Sequence, residues 1–396
     1  MTQLEEFLAG RIWLRHFIPF SNEQVNQAIS NGSITVRLGI VDGKQCTRCL
    51  EKSPGKIIPF YCDTCQKMCY YCRHCIKMGR ISSCTELITW ALPTPQTLQS
   101  HSFNWTGNLT PLQQRASQEV QKSVSQKNDH LIYAVCGAGK TELLFSPIFE
   151  ALKKGMRVCL AAPRTDVVLE LTPRLRAAFP NTIIHSLYGN APEENGFAQL
   201  VIATTHQLYR FENAFDVMIV DEADAFPYSY DMALKRAVVK AKKKEAPIVY
   251  VSATPSTELL KQVAHVSKIF KRFHGYPLPI PKFQSLWRYD KAFAKGQLPK
   301  KLTAWIDEKI AENEPFLLFF PSIDLIEQAI DILKGKYPAL EAVHSQDADR
   351  KEKVMKLRQR KIPGLLTSTI LERGITIPNV QVAVIGAGES ILTQLL

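Results

Sequence analysis

Short apolar runs at residues 131–135, 157–161, 199–203, 216–220 and 247–251 alternate with longer stretches whose apolar positions recur at helical spacing. A β-rich run followed each time by a helix predicts a parallel sheet with covering helices. A second series at 315–320, 341–343, 364–367 and 380–385 predicts a second α/β domain. The first 95 residues lack this alternation and end near Pro93 and Pro95, where the composition turns polar as in a linker. The expected division is an amino-terminal region at 1–95, a first α/β domain at 96–262, a connecting segment at 263–301 and a second α/β domain at 302–396.

The first strand-to-helix junction carries candidate chemistry. Leu131 to Val135 supplies a strand, Cys136-Gly137-Ala138-Gly139-Lys140-Thr141 a loop, and Glu142 to Leu152 a helix that stops at Gly155. Glycines at 137 and 139 let backbone N–H groups converge on phosphate oxygens, and the helix N-terminus adds its partial positive charge. Gly137, Ala138, Gly139, Lys140 and Thr141 are therefore the expected ATP-binding residues. Lys140 would meet the β- and γ-phosphates, and Thr141 would offer its hydroxyl to Mg²⁺. Ala134 stands where the general pattern has its first glycine.

A second run, Val217 to Val220, ends in Asp221-Glu222-Ala223-Asp224. In a parallel sheet the loops at the carboxyl ends of strands share one edge, so Asp221 can reach the metal held by Thr141. Glu222 is the candidate for polarising the attacking water, which makes Lys140, Asp221 and Glu222 the expected catalytic residues. A third run, Pro247 to Val251, ends in Ser252-Ala253-Thr254, small hydroxyl residues able to couple the nucleotide edge to neighbouring loops.

Charge and cysteine usage narrow the picture. The chain has 49 Lys and Arg against 37 Asp and Glu, a net +12 that favours a polyanionic partner, nucleic acid before an acidic membrane surface. Met1 to Gly10 lacks the order of a secretory signal, and no apolar run approaches the roughly 18 residues of a membrane helix. A cytoplasmic location is expected, where disulfides are rare, so the ten cysteines need another explanation.

Eight cysteines lie between 46 and 84, with four C-x-x-C gaps, the spacing of zinc knuckles. Spacing alone favours Cys46, Cys49, Cys62 and Cys65, a ribbon with twelve intervening residues. Cys84, Cys136 and Cys159 read as small buried hydrophobes. Lys44, Arg48, Lys67, Arg73 and Lys77 either offset thiolate charge or touch nucleic acid. From His265 to Lys301 there are nine Lys or Arg against one acid, interleaved with Phe270, Phe273, Tyr276, Phe283, Trp287, Tyr289 and Phe293. That composition fits a single-strand track, the alternative being a linker clamped by its own aromatics. Lys235 to Lys244 reads as a solvated helix face.

The loop at 137–141, Ala162-Pro163-Arg164-Thr165, Thr204-Thr205-His206-Gln207, Asp221 to Asp224, Ser252 to Thr254, Phe319 to Ser322 and Thr367 to Gly374 follow the motif order of superfamily 2 helicases. More narrowly, residues from about 30 to 390 resemble the ComFA family of late-competence DNA-uptake ATPases, most specifically at 163–171 and 370–374. The resemblance implies two RecA-like parallel-sheet lobes, the second incomplete, behind a small zinc-binding module. It also implies an ATP-dependent single-stranded DNA translocase or helicase with ATP, Mg²⁺ and Zn²⁺ as cofactors. Other competence proteins and the inner face of a DNA-uptake channel at the cell membrane are the implied partners.

Residue by residue, the resemblance assigns adenine recognition to Gln113, which with Thr110 and Pro111 also reads as a helix start. It assigns the nucleic-acid backbone to Arg164, Thr165, Thr204, Thr205 and Thr369. It takes Cys72 and Cys75, in place of Cys62 and Cys65, to complete one zinc site with Cys46 and Cys49. Cys62, Cys65 and Cys69 are then a loop excursion or part of a second site with His74. The family's final Gln-x-x-Gly-Arg-x-Gly-Arg element does not follow Gly386 to Ser390, so a carboxyl-terminally truncated chain with weak turnover is one expectation. The rival readings are an ATP- and DNA-binding scaffold with little hydrolysis and a replication-restart or RNA helicase.

Overall fold

The computed structural model describes residues 2–93, 100–192, 194, 196–277, 280–286, 288–344, 347, 349–368 and 377–386. Residues 1–277 and 278–396 are two compact units.

The first unit begins with α1 (Gln3–Leu8), β1 (Ile12–Leu14), α2 (Asn22–Ser30), β2 (Ile34–Leu38), β3 (Ile40–Val41), β4 (Gln45–Cys46), β5 (Ile57–Cys62), β6 (Lys67–Cys72) and β7 (Glu86–Trp90). Capping boxes start both helices, Thr2 with Glu5 and Ser21 with Gln24. β1, β7 and β2 form an antiparallel sheet in that order, while β3–β4 and β5–β6 are separate two-stranded pairs.

Next come α3 (Pro111–Ser125), β8 (His130–Ala134), α4 (Lys140–Lys153), β9 (Val158–Ala162), α5 (Thr165–Ala178), β10 (Ile184–Leu187), β11 (Leu200–Thr204), β12 (Val217–Val220), α6 (Met232–Ala241), β13 (Ile248–Ser252), α7 (Thr257–Gln262) and β14 (His265–Ile269). The seven strands are all parallel, in the order β10-β11-β9-β12-β13-β8-β14. The five runs read from sequence are the interior strands. The two edges were not anticipated. β10 carries the buried polar residues His185 and Ser186, and β14 mixes polar with apolar residues, so neither reads as an apolar run. β14 also lies in the segment read as a connection.

The amino-terminal residues are not a separate body. One apolar cluster runs from Ile12, Leu14, Ile40 and Ile81 into Leu208, Phe211, Phe215 and Leu234 of the parallel-sheet layer. Gly10, at φ 66°, fits a close approach here: a Cβ on it would lie 2.4 Å from the Ala214 Cβ. Arg157, 4% exposed, donates to the carbonyls of Ala9 at 2.7 Å and Ala198 at 3.0 Å beneath the ring of Phe197.

The second unit contains α8 (Tyr289–Ala294), α9 (Lys300–Ala311), β15 (Phe316–Phe319), α10 (Ile323–Lys336), β16 (Glu341–Val343), α11 (Arg350–Arg358), β17 (Gly364–Thr367) and β18 (Gln381–Val384). Its sheet is parallel in the order β16-β17-β15-β18. Phe293 is buried in its core with Phe316, Phe320 and Leu333, so one aromatic of the basic stretch serves packing. Phe270, Phe273, Tyr276 and Phe283 are exposed; Trp287 lies outside the described residues.

His130, which opens β8, is 2% exposed between the hydroxyls of Ser123 and Ser267, each 2.9 Å away. Burial pushes its pKa down to about 4, against the opposing pull of Glu119. Below pH 6.5 the unfolded chain protonates this histidine while the folded chain does not, so stability falls with pH and levels off below 4. We expect a loss of about 3 kcal/mol from this group between pH 7 and 4. Denaturant titrations of the wild type and His130→Gln should show a smaller acid loss in the variant.

Candidate functional site

The register of the seven-stranded sheet levels its strand ends. Val220 of β12 pairs with Ala161 of β9 and Tyr250 of β13, and Tyr250 pairs with Leu131 of β8. The turns after β8, β9, β12 and β13 therefore leave one edge, with the Ser252-Ala253-Thr254 strand between the glycine loop and Asp221.

In the glycine loop, Gly137 and Gly139 take φ 75° and 69°, where only glycine is unstrained. Gly139 is the N-cap of α4 and supplies no side-chain cap, which leaves the first-turn N–H groups for an anion. Lys140 is half-buried, its Nζ 3.5 Å from the Ala134 carbonyl. Thr141 follows in the first turn of α4, also half-buried.

The loop is held from two sides. Gln113, 4% exposed, accepts from the Thr110 N–H through Oε1 at 2.8 Å and donates through Nε2 to the Ala138 carbonyl at 2.8 Å. A Cβ on Gly139 would lie 2.3 Å from that Nε2, so glycine is required for the approach. The amide expected to read adenine thus joins the start of α3 to the phosphate loop. Opposite it, the Phe273 N–H donates to the Gly137 carbonyl at 3.0 Å and Arg272 Nε to the Cys136 carbonyl at 3.4 Å. The sequence marked this stretch only as basic and aromatic. Cys136 is exposed, contrary to its reading as a buried hydrophobe, because it sits on the loop itself; Cys159 is buried in β9 as read.

The two half-buried carboxylates expected at the edge are there. The Asp221 N–H donates to the Ala161 carbonyl at 2.8 Å, and Asp221 Oδ1 accepts from the Glu222 N–H at 2.9 Å. Asp224 was not singled out from sequence. Its two oxygens accept from Ser252 Oγ at 2.7 Å and Thr254 Oγ1 at 2.8 Å, which ties the acidic turn to the neighbouring strand end.

The nucleic-acid candidates divide. Thr165 is exposed at the first position of α5, and Arg164 is half-buried 3.8 Å from Asp166. Thr204 and Thr205 are 6% and 0% exposed, so their side chains face inward. The chain enters a 3-10 helix at Thr205–Arg210 that packs on α6, and His206 is the exposed side chain of that turn. Thr369 lies outside the described residues.

Cys46, Cys49, Cys72 and Cys75 are buried with all four Sγ atoms within 4.8 Å of one another. Cys46 and Cys75 are 3.8 Å apart and Cys49 and Cys72 3.5 Å, close to the edges of about 3.8 Å that tetrahedral Zn–S bonds of about 2.3 Å require. These are the four that the resemblance implied, not the ribbon set. Arg48, 3% exposed, donates to Cys75 Sγ at 3.4 Å and to the carbonyls of Cys75, Met78 and Gly79, so it faces the thiols. Glu51, also 3% exposed, lies 3.4 Å from His74 Nδ1 and 3.0 Å from Arg236 on α6. His74 therefore partners a carboxylate. The face of α6 read as solvated turns basic groups inward instead: Arg236 to Glu51, and Lys240 Nζ to the Tyr209 carbonyl at 3.1 Å.

Known families match three stretches of the chain. Residues 1–89 match the competence protein ComFA N-terminal domain, 106–257 the type III restriction enzyme res subunit, and 298–393 the helicase conserved C-terminal domain. The chain is 42% identical over 399 residues to the competence protein ComFA of Bacillus subtilis (strain 168), covering 99% of this chain and 86% of that protein. It is 35% identical over 361 residues to ComFA of Streptococcus pneumoniae, covering 87% and 82%. S. cerevisiae Dbp5 bound to RNA and ADP BeF3 is similar in fold, with a TM-score of 0.51 at 14% identity over 73% of this chain and 83% of that one. The two parallel sheets are RecA-like lobes.

The position of Gln113 yields a test that needs no nucleotide. Gln113→Ala would strip the Thr110 N–H and the Ala138 carbonyl of their partners, and should destabilise the nucleotide-free protein by about 1–3 kcal/mol in chemical denaturation. A residue that only read the base would leave that stability unchanged.

Proposed function

We propose, from the premise that this chain belongs to the ComFA competence-protein family, that it is an ATP-driven single-stranded DNA translocase acting in DNA uptake. Membership and the helicase domains make it a competence-related ATPase of superfamily 2. The finer reading rests on one observation: a phosphate-type loop and an acidic turn leave the same sheet edge and are linked through Ser252, Thr254 and Asp224.

In this reading the α4 N-terminus and the N–H groups of residues 137–141 cradle the phosphates, and Lys140 neutralises their charge. Thr141 and Asp221 would hold Mg²⁺, which supplies further charge neutralisation when bound. Glu222 positions and deprotonates the attacking water, a step that demands orientation and charge more than covalent chemistry. Asp224 acts by positioning, since both its oxygens are engaged by hydroxyls.

For the strand, Arg164 and Thr165 supply a cation and a hydroxyl at the start of α5, and His206 replaces the two inward-facing threonines as the exposed group of its turn. The exposed Phe270, Phe273, Tyr276 and Phe283 add faces on which bases can stack. Cys46, Cys49, Cys72 and Cys75 would hold zinc, whose binding energy supports a segment poor in large apolar side chains. Among the described residues no helix is long and apolar enough to cross a membrane, and a place at the inner face of the membrane beside other competence proteins belongs to the same proposal.

Lys140→Ala should abolish ATP hydrolysis without lowering thermal stability. Glu222→Gln should retain ATP binding and lose about 100-fold or more in turnover, as expected for removal of a general base; loss of affinity would make it a binding residue instead. Turnover should rise with single-stranded DNA, and the strand's affinity should fall steeply with salt. Equal stimulation by RNA, or none by either, would overturn the translocase reading.

A further inference from the structure

Four thiols remain beside the site already described. Cys62, Cys65, Cys69 and Cys84 bring their Sγ atoms within 4.8 Å of one another. We propose that they form a second zinc tetrathiolate centre, on the opposite face of the β5–β6 hairpin from the first.

The register of that hairpin separates the two sets. Cys62 pairs with Lys67, Phe60 with Cys69 and Ile57 with Cys72. Side chains alternate along each strand, so Cys62 and Cys69 share one face while Cys72 points to the other. The three-residue step from Cys69 to Cys72 therefore splits one run of cysteines between two sites. The two zinc spacings legible in the sequence are interleaved sets, not competing choices for a single ion.

Local structure delivers the other two thiols. Cys65 lies in the turn between the strands, where Gln66 takes φ 51°, making Cys62-x-x-Cys65 a tight knuckle. Cys84 comes from a segment running beside β6, through the Tyr71–Ser82 bridge and the Ser83 N–H to the Tyr70 carbonyl at 2.9 Å. Cys62 and Cys84 stand 3.8 Å apart, the edge of a zinc tetrathiolate, and all four cysteines are free thiols. Cys84 is thus neither a buried hydrophobe nor replaced by His74, which pairs with Glu51.

Packing accounts for the buried Cys62 and Cys69 but not for the other two thiols. Cys84 is exposed, Cys65 half-buried, and the neighbouring Tyr61 and Met68 are more than half exposed. At such a hairpin end a metal supplies the cross-link that an apolar core does not. The exposure also distinguishes the centres, because the first is fully buried beneath Arg48 and the second opens to solvent.

The full chain, purified under reducing conditions, should contain two zinc ions by elemental analysis. The Cys62→Ser/Cys84→Ser variant should keep one and Cys46→Ser/Cys75→Ser should keep the other. A chelator should remove one equivalent from the wild type at least 10-fold faster than the second, and that fast phase should be missing from Cys62→Ser/Cys84→Ser. Should a variant fail to fold, cobalt titration of the wild type decides: two equivalents with tetrathiolate absorption support the proposal. Saturation at one equivalent, two zinc ions retained in Cys62→Ser/Cys84→Ser, or iron in place of the second zinc would overturn it.

Discussion

Everything at the candidate site depends on the parallel ladder of the seven-stranded sheet, because a parallel register delivers successive strand ends to one edge. With Val220 level with Ala161 and Tyr250, and Tyr250 level with Leu131, the loops after those strands have no freedom to emerge elsewhere. A one-residue slip of β12 would send its buried side chains to the opposite face. β12 and its neighbours β9 and β13 are buried along their length, so the core enforces the register on both faces. The site is therefore placed by apolar packing, while its own polar residues refine an arrangement already fixed.

Those refinements act on loops whose backbone is otherwise free. Gly137 and Gly139 permit the curl, but permission is not order, and a glycine loop loses much conformational entropy on folding. Gln113 from α3 and the 272–273 backbone after β14 hold the carbonyls on its two flanks. Asp224 does the same for the acidic turn with two charge-assisted bonds, each contributing roughly 1.5–3 kcal/mol. Since Asp224 lies three residues from Asp221, a displacement of residues 252–254 reaches the carboxylates of Asp221 and Glu222 through a single turn.

The legible parts were those set by local chemistry. The interior strands announce themselves because burial on both faces leaves nothing but apolar residues, and the glycine loop because left-handed dihedrals exclude other side chains. The edge strands β10 and β14 were missed for the converse reason: polar residues break their apolar runs, the buried His185 and Ser186 in β10 and the exposed His265 and Lys268 in β14. Thr204 and Thr205 have the composition of a hydroxyl-bearing contact loop, and only the following 3-10 helix turns them inward. Cys84 misled because membership of a metal cluster is a property of strand pairing, which spacing along the chain does not encode. The helix start read at Gln113 is observed as a capping box, whereas the loop clamp made by the same amide was not foreseen.

The same pairing logic explains why the cysteine module shares a core with the first lobe. Glu51 follows the first knuckle by two residues and meets Arg236 on α6, the helix that the chain enters after the acidic turn. Arg157 reaches from the start of β9 to the Ala9 carbonyl, and Arg37 pairs with Glu212, so buried or half-buried cations cross this junction at three places. Breaking the contacts of Arg157 or Glu51 leaves a buried polar partner without compensation, which costs more than breaking a surface pair. A metal that fixes Cys46 and Cys49 also fixes Glu51, and through Arg236 it fixes α6. Loss of such a metal would therefore act on the sheet edge through the helix that begins at Met232, after the acidic turn, with no change in the glycine loop or the acidic turn themselves.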